Sequence, residues 1–147
     1  MSIDVRTYLG QLFWVGLEGL ELAPYEREFL RDVRPGGIIL FRRNVGHPEQ
    51  LGRLIEDVYR TVGSPPPWVA VDEEGGRVRR LQGILPTLPS AHWLSQVPGF
   101  PHERYHELVA ECLFHLGIRV NLYPVLDLCQ SDSWMHGFER LSLIHIW

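Results

Sequence analysis

Lysine is missing from this chain: all 14 basic side chains among its 147 residues are arginine, set against 18 acidic ones. Any site that needs a lysine ammonium is therefore excluded. Cysteine is nearly as scarce. Cys112 and Cys129 could pair only if the fold brought them together; neither stands in a redox or zinc-binding spacing, and both are expected to be buried thiols. Long apolar runs are also absent: no stretch approaches the length of a membrane span, and Met1-Ser2-Ile3-Asp4-Val5-Arg6 has no apolar core leading to a small-residue cleavage site. A cytoplasmic protein with no membrane partner is the expectation. Net positive charge is lacking too. The net charge is -4, the pI is near 5.9 and the arginine clusters are interleaved with acids, which argues against nucleic acid or an anionic membrane as a partner.

What is present is a globular composition, 45% hydrophobic, in a chain long enough for one domain with a sizeable core. Its most informative segment is Val69-Ala70-Val71-Asp72-Glu73-Glu74-Gly75-Gly76-Arg77-Val78-Arg79-Arg80. The three apolar residues suit a strand buried on both faces, and the glycines permit a tight turn and close backbone approach. In a parallel α/β protein, ligands sit at the carboxyl ends of strands, so Asp72 and the arginines are candidate contacts to a polar substrate. The plainer reading is a solvated turn with local ion pairs.

Alternation of strand and helix patterns runs along the chain. Leu9 to Gly16 reads as a first strand and Pro24 to Val33 as a short helix. After Pro35-Gly36-Gly37, the run Ile38-Ile39-Leu40-Phe41 reads as a second strand, ending in Arg42-Arg43-Asn44. Pro48 to Val62 places Leu51, Leu54, Ile55 and Val58 on one helical face, and Gly63-Ser64-Pro65-Pro66-Pro67 stops it. Trp68 to Val71 is the third strand, followed by a long proline-rich loop of the kind that often carries function. Glu103 to Leu116 predicts a helix with Leu108, Val109, Cys112 and Leu116 toward the core, and Arg119 to Leu128 predicts a fourth strand. The order implies a parallel α/β fold.

With Leu40-Phe41-Arg42-Arg43-Asn44, the segment from Val69 to Arg80 and Tyr123-Pro124-Val125-Leu126-Asp127-Leu128 in this order, the chain resembles glycoside hydrolase family 3. Within that family its motifs look closest to bacterial β-N-acetylhexosaminidases, and the resemblance covers nearly the whole chain. It implies the N-terminal half of a (β/α)8 barrel, since a whole barrel takes roughly 250 residues. It also implies that Asp72 accepts hydrogen bonds from hydroxyls of the terminal sugar and that Arg80 binds the same sugar, charge-assisted hydrogen bonds being short and directional. Gly137-Phe138-Glu139-Arg140 resembles the next signature, making Arg140 a third substrate contact, although Leu141-Ser142-Leu143 stands where relatives carry a serine and an aromatic. The substrate so implied is a small N-acetylglucosamine-containing glycoside derived from cell wall, placing the parent in peptidoglycan recycling. A β-glucosidase or β-xylosidase of the same family and a noncatalytic carbohydrate-binding half-barrel are the alternatives.

Several tempting residues are given other roles. Asp127 ends a strand, but the resemblance gives it no catalytic part, and it reads as a loop-fixing acceptor. Glu73 and Glu74 are adjacent on extended chain and point to opposite faces, which makes them poor partners at one glycosidic bond. Of seven histidines, only His102 and His106 have helical i,i+4 spacing, and without an accompanying Glu they read as a solvated helix face; no metal and no cofactor are expected. No serine or cysteine sits in a nucleophile pattern, and Gly75-Gly76 is too short for a nucleotide loop.

The resemblance places the nucleophilic aspartate, the acid/base histidine and a lysine-histidine sugar-binding pair further along than this sequence reaches, and the missing lysine rules out the last. Hence no catalytic residue is expected among residues 1–140, which make up a partial domain. Residues 141–147 match one translated frame of the adaptor end that transposase-based library preparation attaches to DNA, and a non-native tail is expected there.

Overall fold

The computed structural model describes residues 5–125. Helix α1 spans Val5–Gly10, β1 Trp14–Gly16, α2 Pro24–Val33, β2 Gly37–Leu40, α3 Pro48–Val62 and β3 Trp68–Val71; the short α4 covers Ala91–Ser95, α5 His102–His115 and β4 Val120–Asn121. The strands form one parallel sheet in sequential order, β1-β2-β3-β4, with Gly37 opposite Trp14, Leu40 opposite Val71 and Ala70 opposite Val120. This is the repeated strand-helix-strand architecture of a (β/α)8 wall, and every strand directs its carboxyl end to the same edge of the sheet.

The core lies between the sheet and α2, α3 and α5. Val69, Ala70 and Val71 of β3 are all buried, as a parallel strand covered on both faces requires. Leu51, Leu54, Ile55 and Val58 of α3 bury together with Ile38 and Leu40 of β2 and Leu30 of α2, so the helical stripe legible in the sequence is the stripe that packs. Pro24 and Pro48 stand in the first turns of α2 and α3, where a missing N–H costs no helical bond. The Glu26 carboxylate accepts from the backbone N–H of Ala23 at 2.8 Å and of Glu18 at 3.0 Å, and the Arg27–Asp57 ion pair at 2.9 Å ties α2 to α3.

Four expectations need correction. The fourth strand, expected from Arg119 to Leu128, covers Val120–Asn121, and residues 122–125 are not strand. Leu9 and Gly10 belong to a helix, and the first strand is only Trp14–Gly16. Turn hydrogen bonds from Leu12 N to Leu9 O and from Phe13 N to Gly10 O separate the two, and Gly10 lies against the α2 terminus so closely that a Cβ would fall 1.7 Å from the Val33 carbonyl oxygen. On α5 the inward residue is Leu113, with Val109 and Leu116 packed beside it; Leu108 and Cys112 are exposed. Apolar residues ring this helix at 108, 109, 112, 113, 114 and 116, so periodicity alone did not select a face. His102 and His106 are half-buried, their rings stacked at 6.4 Å, and His106 also meets the Tyr123 ring at 5.6 Å. Asp127, Cys129, Arg140 and the segment 141–147 lie outside the described residues.

Candidate carbohydrate-binding site

Each strand end delivers polar residues to the same edge, and buried side chains fix the loops that follow. After β2, Asn44 is fully buried: its Oδ1 accepts from Phe41 N at 2.8 Å, and its Nδ2 donates to Leu17 O at 3.0 Å and Gly19 O at 2.9 Å. Gln50 of α3 continues the same network, donating to Leu20 O at 2.6 Å and accepting from Gly46 N at 2.8 Å. Arg43 donates from Nε to Leu17 O at 2.7 Å while its guanidinium lies 4.6 Å over the Phe41 ring, and Arg42 donates to Val45 O at 2.6 Å. These arginines are therefore part of the loop scaffold.

The loop after β3 holds the two described residues expected to touch a substrate. Asp72 and Arg80 come together as a partly exposed ion pair, Nη2 to Oδ2 3.6 Å, with side-chain exposures of 25% and 29%. At that separation the pair is an electrostatic contact longer than a hydrogen bond. A hydroxyl can thus be received from both sides, accepting from the guanidinium and donating to the carboxylate. Gly75 allows the loop to fold back. Its φ is +83°, and a Cβ there would fall 2.0 Å from the Pro89 carbonyl oxygen, so only glycine fits. Gly76 N then donates to Leu88 O at 3.0 Å, which brings α4 and its exposed Trp93 beside the loop; Gly76, Ser90, Trp93 and Gln96 line an open groove of about 530 Å³.

Glu73 was considered in the sequence only as a poor acid/base partner, and it is indeed turned away from the pair. It is 2% exposed, and its Oε2 accepts from Arg80 N at 2.8 Å and Leu81 N at 2.9 Å. Burial raises the pKa of this carboxyl; the two N–H groups and the nearby Arg79 and Arg80 charges oppose the rise. Asn121 on β4 was missed altogether. It accepts from Glu73 N at 3.0 Å and donates to Glu73 O at 3.1 Å, and the only clue was a lone amide between Val120 and Leu122. Beneath the loop, burial pushes the Tyr123 hydroxyl up to about 12, with Tyr105 and Glu74 adding to it, and burial followed by His102 lowers His106. Among the described residues no group of three His, Cys, Asp or Glu side chains is placed to hold a metal ion, and no helix is long and apolar enough to cross a membrane.

A parallel strand-helix repeat with a carboxylate-guanidinium pair at its carboxyl edge defines a (β/α)-barrel type of polar-ligand protein. Residues 4–142 match the glycosyl hydrolase family 3 N terminal domain, and the chain belongs to that family. It is 40% identical over 136 residues to a beta-hexosaminidase of Alkalilimnicola ehrlichii, covering 88% of this chain and 38% of that protein. Among solved structures it is similar to a family 3 beta-N-acetylglucosaminidase from Paenibacillus, with 30% identity, a TM-score of 0.75 and coverage of 86% of this chain and 25% of that one. It is also similar to NagZ from Neisseria gonorrhoeae in complex with N-trifluoroacetyl-D-glucosamine, with 31% identity, a TM-score of 0.72 and coverage of 86% and 39%. The chain thus spans well under half the length of the relatives it matches.

Proposed function

We propose that this chain carries the sugar-binding part of a retaining exo-β-N-acetylhexosaminidase that releases terminal N-acetylglucosamine from cell-wall-derived glycosides in the cytoplasm. Asp72 accepts from hydroxyls of the terminal sugar, Arg80 donates to them, and Arg140 supplies a third contact. The observation that carries the reading is the partly exposed Asp72–Arg80 pair at the carboxyl edge of the sheet. Retention needs two carboxyl-type groups flanking one bond, or an equivalent nucleophile and acid/base. Glu73 is committed to backbone, and Asp72 is engaged by Arg80, so neither is proposed as nucleophile. The chain by itself is proposed to bind sugar and to turn over none.

Two charge-assisted hydrogen bonds at about 2 kcal/mol each correspond to a dissociation constant of about 1 mM. Titration of the chain with N-acetylglucosamine, glucose and xylose, followed by NMR, is expected to show millimolar binding that favours N-acetylglucosamine and weakens at least about tenfold in Asp72→Asn and Arg80→Ala. Preference for glucose or xylose would move the reading to a β-glucosidase or β-xylosidase. No binding of any sugar would overturn it. For the parent protein, release of free N-acetylglucosamine from muropeptide fragments, detected by mass spectrometry, tests the substrate; an active glycosidase that leaves these fragments intact would refute that part. Turnover by the chain alone would also contradict the proposal. Residues 141–147 are proposed to be an adaptor-derived tail, which clean genomic DNA across the Arg140 codon either replaces with another sequence or retains, the second outcome refuting it.

A further inference from the structure

Glu73 is a buried carboxylate next to the sugar pair that the proposed function does not use. Burying a carboxylate is costly unless its oxygens are satisfied, so its partners show what the cost is offset by. They are the backbone N–H groups of Arg80 and Leu81, at 2.8 Å and 2.9 Å. Arg80 is the residue whose guanidinium meets Asp72, and Leu81 is buried in the core immediately after it. The Arg80 Nε is buried and makes no hydrogen bond, so that end of the guanidinium is not held by a partner of its own. Its placement follows from the main chain. That main chain is fixed by Glu73, and the Glu73 peptide is in turn fixed at its N–H and its carbonyl by the single amide of Asn121, 48 residues away on β4.

We propose that Glu73 and Asn121 are positioning residues of the sugar site, a relay from β4 through the Glu73 carboxylate to the Arg80 main chain that sets where the guanidinium stands opposite Asp72. Neither touches the sugar. An acceptor oxygen at this point is what the relay needs, so glutamine can replace glutamate and alanine cannot. The proposal rests on the carbohydrate reading for its binding readout alone.

The test is NMR on the full 147-residue chain, following hydrogen exchange at the Arg80 and Leu81 amides and at the buried Arg80 Nε–H, together with N-acetylglucosamine titration. Losing the carboxylate oxygen that accepts from two backbone N–H groups in Glu73→Ala is expected to speed Arg80 Nε–H exchange and to weaken sugar binding, each on the order of tenfold, with the β2 and β3 amides unchanged. Asn121→Ala is expected to act in the same direction, and Glu73→Gln to restore both readouts. Asn44→Ala removes a similar buried loop clamp after β2 and serves as the structural control, expected to lower stability and leave Arg80 Nε–H at its wild-type rate. If Glu73→Ala loosens the two amides but leaves Nε–H exchange and affinity alone, or if Glu73→Gln behaves like Glu73→Ala, the proposal is overturned. Should Glu73→Ala fail to fold, Glu73→Asp, which withdraws the carboxylate by one methylene, is held to the same expectations. A wild-type chain that binds no sugar would defeat the carbohydrate reading, and Nε–H exchange would still decide the positioning role.

Discussion

At the scale of single residues, three neighbouring side chains of similar chemistry do different work because of where the backbone sends them. Asp72 is partly exposed and faces Arg80, Glu73 faces inward onto amides, and Glu74 is buried with its N–H donating to Val78 O at 3.0 Å. The raised pKa of Glu73 has a definite sign: between the unfolded and folded values the folded chain binds more protons than the unfolded one, so stability from this group is greatest below the unfolded value and falls as pH rises toward the folded one. Urea denaturation at about pH 4 and about pH 8 is expected to show Glu73→Gln gaining on the wild type at the higher pH; parallel behaviour would contradict it. His106 runs the other way. Burial lowers its pKa, so its contribution is intact above the unfolded value and is lost as pH falls through that value toward the folded one. His106→Phe keeps a ring against Tyr105 and Tyr123 and is expected to flatten the decline in stability between about pH 7 and about pH 5; an unchanged slope would mean that other groups carry it.

Elements with one clear apolar stripe or a continuous apolar run were legible with their boundaries: α2, α3 and β3 begin and end where the prolines, glycines and periodicity placed them. Elements whose apolar residues fit more than one pattern were not. The segment from Leu9 to Gly16 reads as one strand, yet Leu9 and Gly10 close a helix, and α5 offers several apolar faces, of which packing into the core selected the one carrying Leu113. Two substitutions test the element level. Leu51→Ala at the fully buried centre of α3 is expected to cost about 2–5 kcal/mol in a chemical denaturation experiment, and a loss below about 1 kcal/mol would mean the α3–sheet contact is loose. Gly75→Ala sets a side chain against the Pro89 carbonyl in a left-handed conformation, which alone costs about 1–2 kcal/mol, and is expected to lower both stability and sugar affinity. A Gly75→Ala chain with wild-type affinity would show that the loop closes without this contact.

For the molecule as a whole, among the described residues the sheet has β1 and β4 at its two edges, and apolar surface remains beside β4. Leu108, Phe114 and Leu122 are exposed, and a cavity of about 510 Å³ opens between α5 and β4, lined by Val109, Leu113, Ile118 and Tyr123 among others. Apolar surface and open strand edges of this kind favour association. Sedimentation velocity is expected to show species larger than a monomer whose share grows with concentration, and a single monomeric species at all concentrations would contradict this.

The sequence by itself determined the parallel α/β order, the helix that packs on β2 and the family, and it singled out Asp72 and Arg80 as candidate sugar contacts. Those features arise from short-range signals: apolar periodicity, turn residues and one contiguous motif. Tertiary structure decided which of the adjacent carboxylates faces solvent, that Cys112 lies outside the core, and that Asn121 is joined to Glu73. These depend on partners distant in the chain, such as the 48 positions between Glu73 and Asn121, whose approach is set by strand register and helix packing.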